Sequence, residues 1–384
     1  MSNNRRGVKT PSQSKKMGKS DSYINEKGVR ISKATGKPVK RYTKRNKEYW
    51  AARMGGTFIV QNAQQPTVEA NPLIEELQSL YSDEEIQGII GLKKDSAPVE
   101  LVEIPNKKKS ELDEGNTGFL IASDWHADEV VKASTVLGKN EYNKDIAEQR
   151  IKNFFANAVY MIKKKPVDNL VVGLIGDMIG GYIHDELAQT NSMSPMQGVS
   201  FVKSLIISGL KKIHDELPDL QQITIVGICG NHSRTTRKMQ FSNGFAMNHE
   251  YFMYKDIEQT LTLMGLTKFK FVIPESEFAY LDVYGKKILF CHGHQFRSAG
   301  GIGGIYPSMF KWYAKMNQTI QIDKAFIGHY HASIYTKEVC VNGSLKGYDA
   351  FAMGKGLAYE VPQQTYVILN EKRGFIFYSP VFAD

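Results

Sequence analysis

The sequence predicts an α/β fold, and two observations carry that prediction. Short apolar runs without alternation, such as Leu170-Val-Val-Gly-Leu-Ile, read as strands covered on both faces. Between such runs lie long segments with apolar residues near helical spacing. One carries Ile146, Ile151, Phe155, Val159 and Ile162 before Pro166; the other carries Val199, Val202, Leu205, Ile206, Ile213 and Leu217 before Pro218. A strand, a crossover helix and a second strand give a parallel pair. At 384 residues with 42% apolar residues, the chain has material for one large core and an appendage.

The formal charge of +9 is concentrated at one end. Residues 1–50 hold 15 Lys or Arg against 3 Asp or Glu, a balance of +12, whereas residues 111–384 are near neutral. Residues 1–20 are basic, polar and nearly free of large apolar groups, which predicts a disordered tail. Residues 21–104 read as a small basic and helical region. Within it, residues 29–42 form a candidate basic hairpin turning at Thr35-Gly36, and residues 71–81 are amphipathic. Ser82 and Glu85 make a capping box at the start of a second short helix. The helical pair resembles a helix-turn-helix, although the acidity of its second helix counts against a place in a DNA groove. Arg41, Lys44, Arg45 and Lys47 beside Tyr49-Trp50 suit phosphates and stacked bases, so nucleic acid is the partner this region suggests. A solvated tail is the alternative. Residues 105–117 read as a linker to a main domain over 118–384.

No run has the length and apolarity of a membrane span, and the N-terminus lacks the apolar segment of a signal peptide, so the expectation is a soluble cytoplasmic protein. Cys229, Cys291 and Cys340 lie in or near apolar strands without CxxC spacing and read as buried reduced thiols. The oligomeric state is left open.

Five strand ends carry the chemistry. The run ending at Ser123 delivers Asp124-Trp125-His126, and the run from Leu170 delivers Gly176-Asp177. A third strand ends in Gly230-Asn231-His232, a fourth in His292-Gly293-His294, and a fifth in Gly328-His329-Tyr330-His331. Each motif alone has an ordinary explanation, because Asp, Asn and Gly are turn residues and a lone His after a strand is usually structural. Together they hold six of the nine histidines, 126, 232, 292, 329 and 331, with His294 one step beyond His292-Gly293. Carboxylate, amide and imidazole in one cluster form a donor set for divalent metal.

In that order and at that spacing, the motifs resemble the calcineurin-like metallophosphoesterase family over roughly residues 118–384. The Gly-Asn-His-Ser-Arg run and the Phe-Lys-Trp-Tyr segment before the last motif are most similar to phage-encoded members, which would place the protein in the host cytoplasm. The resemblance implies a sandwich of two mixed β-sheets flanked by helices, with the basic N-terminal region as an extension. It also implies two metal ions at the strand ends. Asp124, His126 and His331 would hold the first, Asn231, His292 and His329 the second, and Asp177 would bridge them. His232 would face the substrate. Ser233 departs from the family, many of whose members carry an acidic residue there, and this leaves open what orients His232.

Two such ions share and activate a water and neutralise phosphate oxygens, which is phosphoester hydrolysis. The donors suit Mn²⁺ best, with Fe or Zn²⁺ as alternatives. His232 is the candidate general acid, Asp177 the catalytic carboxylate, and Arg234, Arg237, His184 and His294 the candidate substrate contacts. The basic arm favours a phosphodiesterase or nuclease acting on nucleic acid. A phosphomonoesterase for a nucleotide or phosphoprotein is the alternative, and a scaffold without chemistry is disfavoured because every expected ligand position is filled. Residues 300–305 read as a glycine-rich mobile loop, residues 342–348 as the far wall of the cleft, and residues 365–378 as a terminal hairpin completing the second sheet.

Overall fold

The computed structural model describes residues 22–24, 30–32, 102–103, 114–296 and 304–384. The chain divides into two compact units, Met1–Asp95 and Ser96–Asp384. In the first, β1 (Ser22–Ile24) pairs antiparallel with β2 (Arg30–Ser32), with Tyr23 opposite Ile31. Residues 30–32 thus pair backward along the chain, upstream of the turn expected at Thr35-Gly36. The basic tail over 1–20, the rest of the expected basic hairpin, the helical pair and the glycine-rich loop up to Gly303 lie outside the described residues.

In the second unit, short strand β3 (Val102–Glu103) is followed by β4 (Asn116–Ala122). β4 begins inside the span expected as linker. Helix α1 (Lys144–Lys164) starts where the Asn143 side chain accepts the N–H groups of Asp145 and Ile146, and it stops short of Pro166. After β5 (Asn169–Leu174) come a short α2 (Asp185–Thr190) and the long α3 (Pro195–Glu216). The capping box of Ser194 and Gln197, with Pro195 in the first turn, opens α3. Next are β6 (Gln222–Gly227), α4 (His249–Leu263), β7 (Phe269–Val272), β8 (Phe278–Val283) and β9 (Lys286–Cys291). Helix α5 (Tyr306–Thr319), β10 (Lys324–Ile327), β11 (Ile334–Tyr335) and β12 (Val339–Val341) follow. A short α6 (Ala350–Gly354) precedes β13 (Gln363–Asn370) and β14 (Gly374–Phe382).

These strands make two mixed six-stranded sheets, ordered β14-β13-β4-β5-β6-β7 and β11-β12-β10-β9-β8-β3. Strands β4 to β7 run parallel, as do β9, β10 and β12. Alternate residues along each central strand enter different cores. Phe119, Ile121, Val171 and Val226 of the first sheet meet Leu281, Phe290 and Phe326 of the second. Leu120, Val172 and Ile225 face α1, α3 and α4, while Leu289 and Ala325 face α5. Each fully buried large apolar side chain contributes about 1.5–3 kcal/mol relative to exposure, enough to hold helices that isolated peptides would not keep.

The terminal hairpin corrects one expectation. It completes the first sheet, because β13 pairs antiparallel with β4, Val367 opposite Phe119. Val367 and Leu369 enter the core between the sheets while Tyr366 and Ile368 enter the helix side, so β13 is covered on both faces and takes an internal position. No helix among the described residues is long and apolar enough to cross a membrane.

Candidate metal centre

Because β4, β5 and β6 are neighbouring parallel strands, their carboxyl ends lie side by side, and the parallel pair β9 and β10 does the same in the other sheet. All the strand-end motifs therefore open at one place. Among the described residues, seven that are not glycine have positive φ, and five of these are Asp124, His126, Asp177, His329 and His331. Left-handed backbone costs such residues on the order of 1–3 kcal/mol each and persists only where the surroundings enforce it. Here cross-strand bonds do so: Asp124 N–H donates to Gly176 O at 3.0 Å and His126 N–H to Asp177 O at 3.1 Å.

The side chains gather in two groups, Asp124 with His126 and His331, and Asp177 with His292 and His329, the donor atoms in each lying within 4.8 Å of one another. In the first, His126 Nε2 is 3.2 Å from His331 Nε2, which is itself 3.4 Å from Asp124 Oδ1. Two imidazoles each about 2.1 Å from a shared ion stand roughly 3–3.4 Å apart, so this spacing fits a common ligand. In the second, Asp177 Oδ2 is 2.9 Å from His292 Nε2. Asn231 Oδ1 is buried without a hydrogen-bond partner, an orphaned oxygen that a cation in the centre would satisfy. The residues present therefore fit two divalent ions.

The carboxylates also tie the loops together. Asp177 Oδ1 accepts the backbone N–H of His232 at 2.8 Å, and both oxygens of Asp124 accept that of His329 at 3.0 Å. Gly230 is required, since a Cβ there would stand 2.0 Å from Asp177 Oδ1. Burial alone would raise the Asp177 carboxyl, but the His292 and His232 imidazoles outweigh it and hold the group well below the usual carboxylate range. Burial likewise opposes a charge on His292, yet the adjoining Asp177 lifts the imidazole to about 10. His329, with less compensation, is pushed by burial down to about 3.

The His232 ring is oriented by a backbone carbonyl and not by a carboxylate. Its Nδ1 lies 2.9 Å from Gly180 O, which fixes the Nδ1–H tautomer and leaves Nε2 free, while Ser233 donates to Asn248 Oδ1. Burial lowers the His232 imidazole to about 4. The remaining candidates divide. Exposed His184 has its ring centroid 5.7 Å from that of His232. His294 Nε2 is 3.3 Å from Glu277 Oε1, and with Asn231, Arg234, Phe296, His329 and Tyr330 it lines a cleft of about 290 Å³. Arg234 spends three N–H groups on the carbonyls of Asn231, Thr236 and Arg237, so it braces its own loop. Arg237 is exposed, and its carbonyl takes one of those bonds.

Three supporting residues carried no expectation, and a fourth, Lys346, was expected only within the far wall of the cleft. Glu250 at the start of α4 accepts the N–H groups of Met178 and Gly230, pinning the loops after β5 and β6 together. Asp128 accepts those of Gly180 and Gly181. Glu129 lies 2.9 Å from His126 Nδ1, with Lys346 on its other oxygen at 2.7 Å. Asp128 and Glu129, two and three residues after the His of Asp-x-His, were visible as carboxylates close to it. Nothing local marks Glu250 or Lys346.

No protein-family model matches the chain, and no curated protein matches it. Solved structures with partial overlap include a single mutant of Vps29 from Entamoeba histolytica (12% identity, 70% of this chain and 99% of that one, TM-score 0.27). A putative 5'-nucleotidase from Staphylococcus aureus in complex with alpha-ketoglutarate overlaps over 70% of this chain and 55% of its own length (14% identity, TM-score 0.30). The calcineurin-like phosphoesterase YfkN from Bacillus subtilis does so over 70% and 92% (10% identity, TM-score 0.26). Overlaps this loose say nothing of function, which has to come from the side chains.

Proposed function

We propose that this chain is a metal-dependent phosphoesterase of the calcineurin-like type, with a two-ion centre that works best with Mn²⁺, and that its substrate is a nucleic acid phosphodiester. The observation that carries the hydrolase reading is the pair of ligand groups at the strand ends, with the unpartnered buried Asn231 Oδ1 from the neighbouring strand end. Asp124, His126 and His331 would hold one ion, Asn231, His292 and His329 the other, and Asp177 would serve both. When bound, two divalent ions supply an activated water and charge neutralisation for the phosphoryl group. Gly180 O holds Nδ1–H of the His232 ring, so the second proton of the doubly protonated imidazolium sits on Nε2, from which it can be given to, or stabilise, the leaving oxygen. Arg234 keeps two of its five N–H donors for a phosphate oxygen.

The nucleic acid reading rests on the +12 balance of residues 1–50 beside a near-neutral remainder. The modest cleft beside the second group favours a second reading, a phosphomonoesterase for a small substrate. Full-length protein with Mn²⁺ should hydrolyse DNA and a generic phosphodiester faster than a phosphomonoester, with DNA cleavage falling steeply as salt rises. A preference for the monoester, with no salt dependence, would replace the nuclease reading by the second. Equal rates with Mg²⁺ alone would remove the preference for Mn²⁺.

A further inference from the structure

The third cluster of donors, His126, Glu129 and His232, has the spacing of a metal site but not its electrostatics. Lys346 Nζ stands 2.7 Å from Glu129 Oε2, and a buried ammonium at that distance repels any further cation. Glu129 and Lys346 are 7% and 3% exposed. Lys346 is also paired with Asp349 Oδ2 at 2.7 Å, and Asp349 caps α6 through its other oxygen at Ala352 N–H. The pair is packed in place from the other side too, since a Cβ on Gly180 would stand 2.5 Å from Glu129 Cγ. The segment after β12 holds the same strand end by its backbone. Ser344 Oγ and Leu345 N–H donate to Asp124 O, and Asn342 donates to Ser123 Oγ.

We propose that Glu129 is a positioning residue for the centre: its carboxylate, anchored by Lys346, accepts Nδ1–H of His126 and so presents Nε2 of that ring, unprotonated and more basic, to the first ligand group. This rests on the two-ion reading. A carboxylate behind a ligating imidazole fixes its tautomer and raises its donor strength, and its loss typically costs about 10- to 100-fold in metal affinity. It makes the segment around Lys346, which sequence assigns only to the cleft wall, part of the support of the metal centre.

Calorimetric titration of metal-stripped full-length protein with Mn²⁺ tests this. Wild type should take up two ions; Glu129→Gln combined with Lys346→Met, which removes the charge pair together, should bind one of them about 10- to 100-fold more weakly and the other unchanged. Glu129→Asp, which keeps the charge, should recover part of that loss. Unaltered affinity at both sites in the folded double variant would overturn the proposal, and so would equal weakening by Glu129→Asp and Glu129→Gln. Wild-type protein that binds no ion would end the two-ion reading and this inference with it, a result that needs no variant to recognise.

Discussion

In the first ligand group the His126 ring is backed by a carboxylate, Glu129, which leans on a lysine 217 residues away; in the second, the His292 ring is backed by a backbone carbonyl, Ile175 O, at 2.8 Å. His331 of the first group is 26% exposed at its side chain, whereas His292 is fully buried. A carbonyl comes with the strand and cannot be mutated away, while a buried ion pair persists only as long as both partners do. The first half of the centre should therefore be the one whose affinity distant side chains can tune, and the second the one built into the sheet.

The largest effect on that comparison comes from the carboxylate between the halves. Asp177→Asn should abolish hydrolysis of every substrate and lower Mn²⁺ uptake in both groups; retained turnover would break the two-ion assignment. Next, His232→Asn should lower kcat roughly 10²- to 10⁴-fold while Mn²⁺ stoichiometry stays at the wild-type value, measured by metal analysis beside steady-state kinetics. A matched pair then compares the halves directly. His292→Ala strands Ile175 O and the Asp177 carboxylate and should cost about 1–3 kcal/mol of stability in denaturant unfolding of the metal-free protein, whereas His331→Ala should cost little. Equal losses would erase the distinction.

The smallest effect separates stability from metal binding. Lys324 is buried in the second sheet, donating to Thr336 O, Lys337 O and Tyr378 Oη, and burial lowers its amine from 10.5 to about 8. Between those values the unfolded chain binds more protons than the folded one. Stability from this group is therefore complete above 10.5 and lost as pH falls through about 8. Unfolding free energy should rise by about 1 kcal/mol per pH unit just above that point, and Lys324→Met should flatten this slope without changing Mn²⁺ affinity.

Much of this architecture is legible in the chain because its signals are local. A covered strand announces itself by an unbroken apolar run, a helix by its spacing and caps, and residues leaving a strand end stay within two or three positions of it, as in Asp124-Trp125-His126 and His329-Tyr330-His331. That parallel strands open at one end follows from the fold class, so six residues read from four strand ends meet in two groups, with Asn231 of the fifth beside them. Strands β3, β8 and β11 and helix α4 carried no expectation, since short or half-exposed elements borrow their stability from neighbours.

Sequence by itself determined which residue types stand at each strand end, because those motifs are contiguous. Only the tertiary structure decided that the last hairpin joins the first sheet, that Gly180 O rather than an acidic neighbour turns His232, and that Arg234 grips its own loop. The same holds for Glu129, Lys346 and Glu250, whose partners lie 3, 217, and 20 and 72 residues away. Apart from the first, such pairings leave no spacing to read: they depend on which loops the sheets bring together, and a buried charge is stable only where that packing supplies its partner.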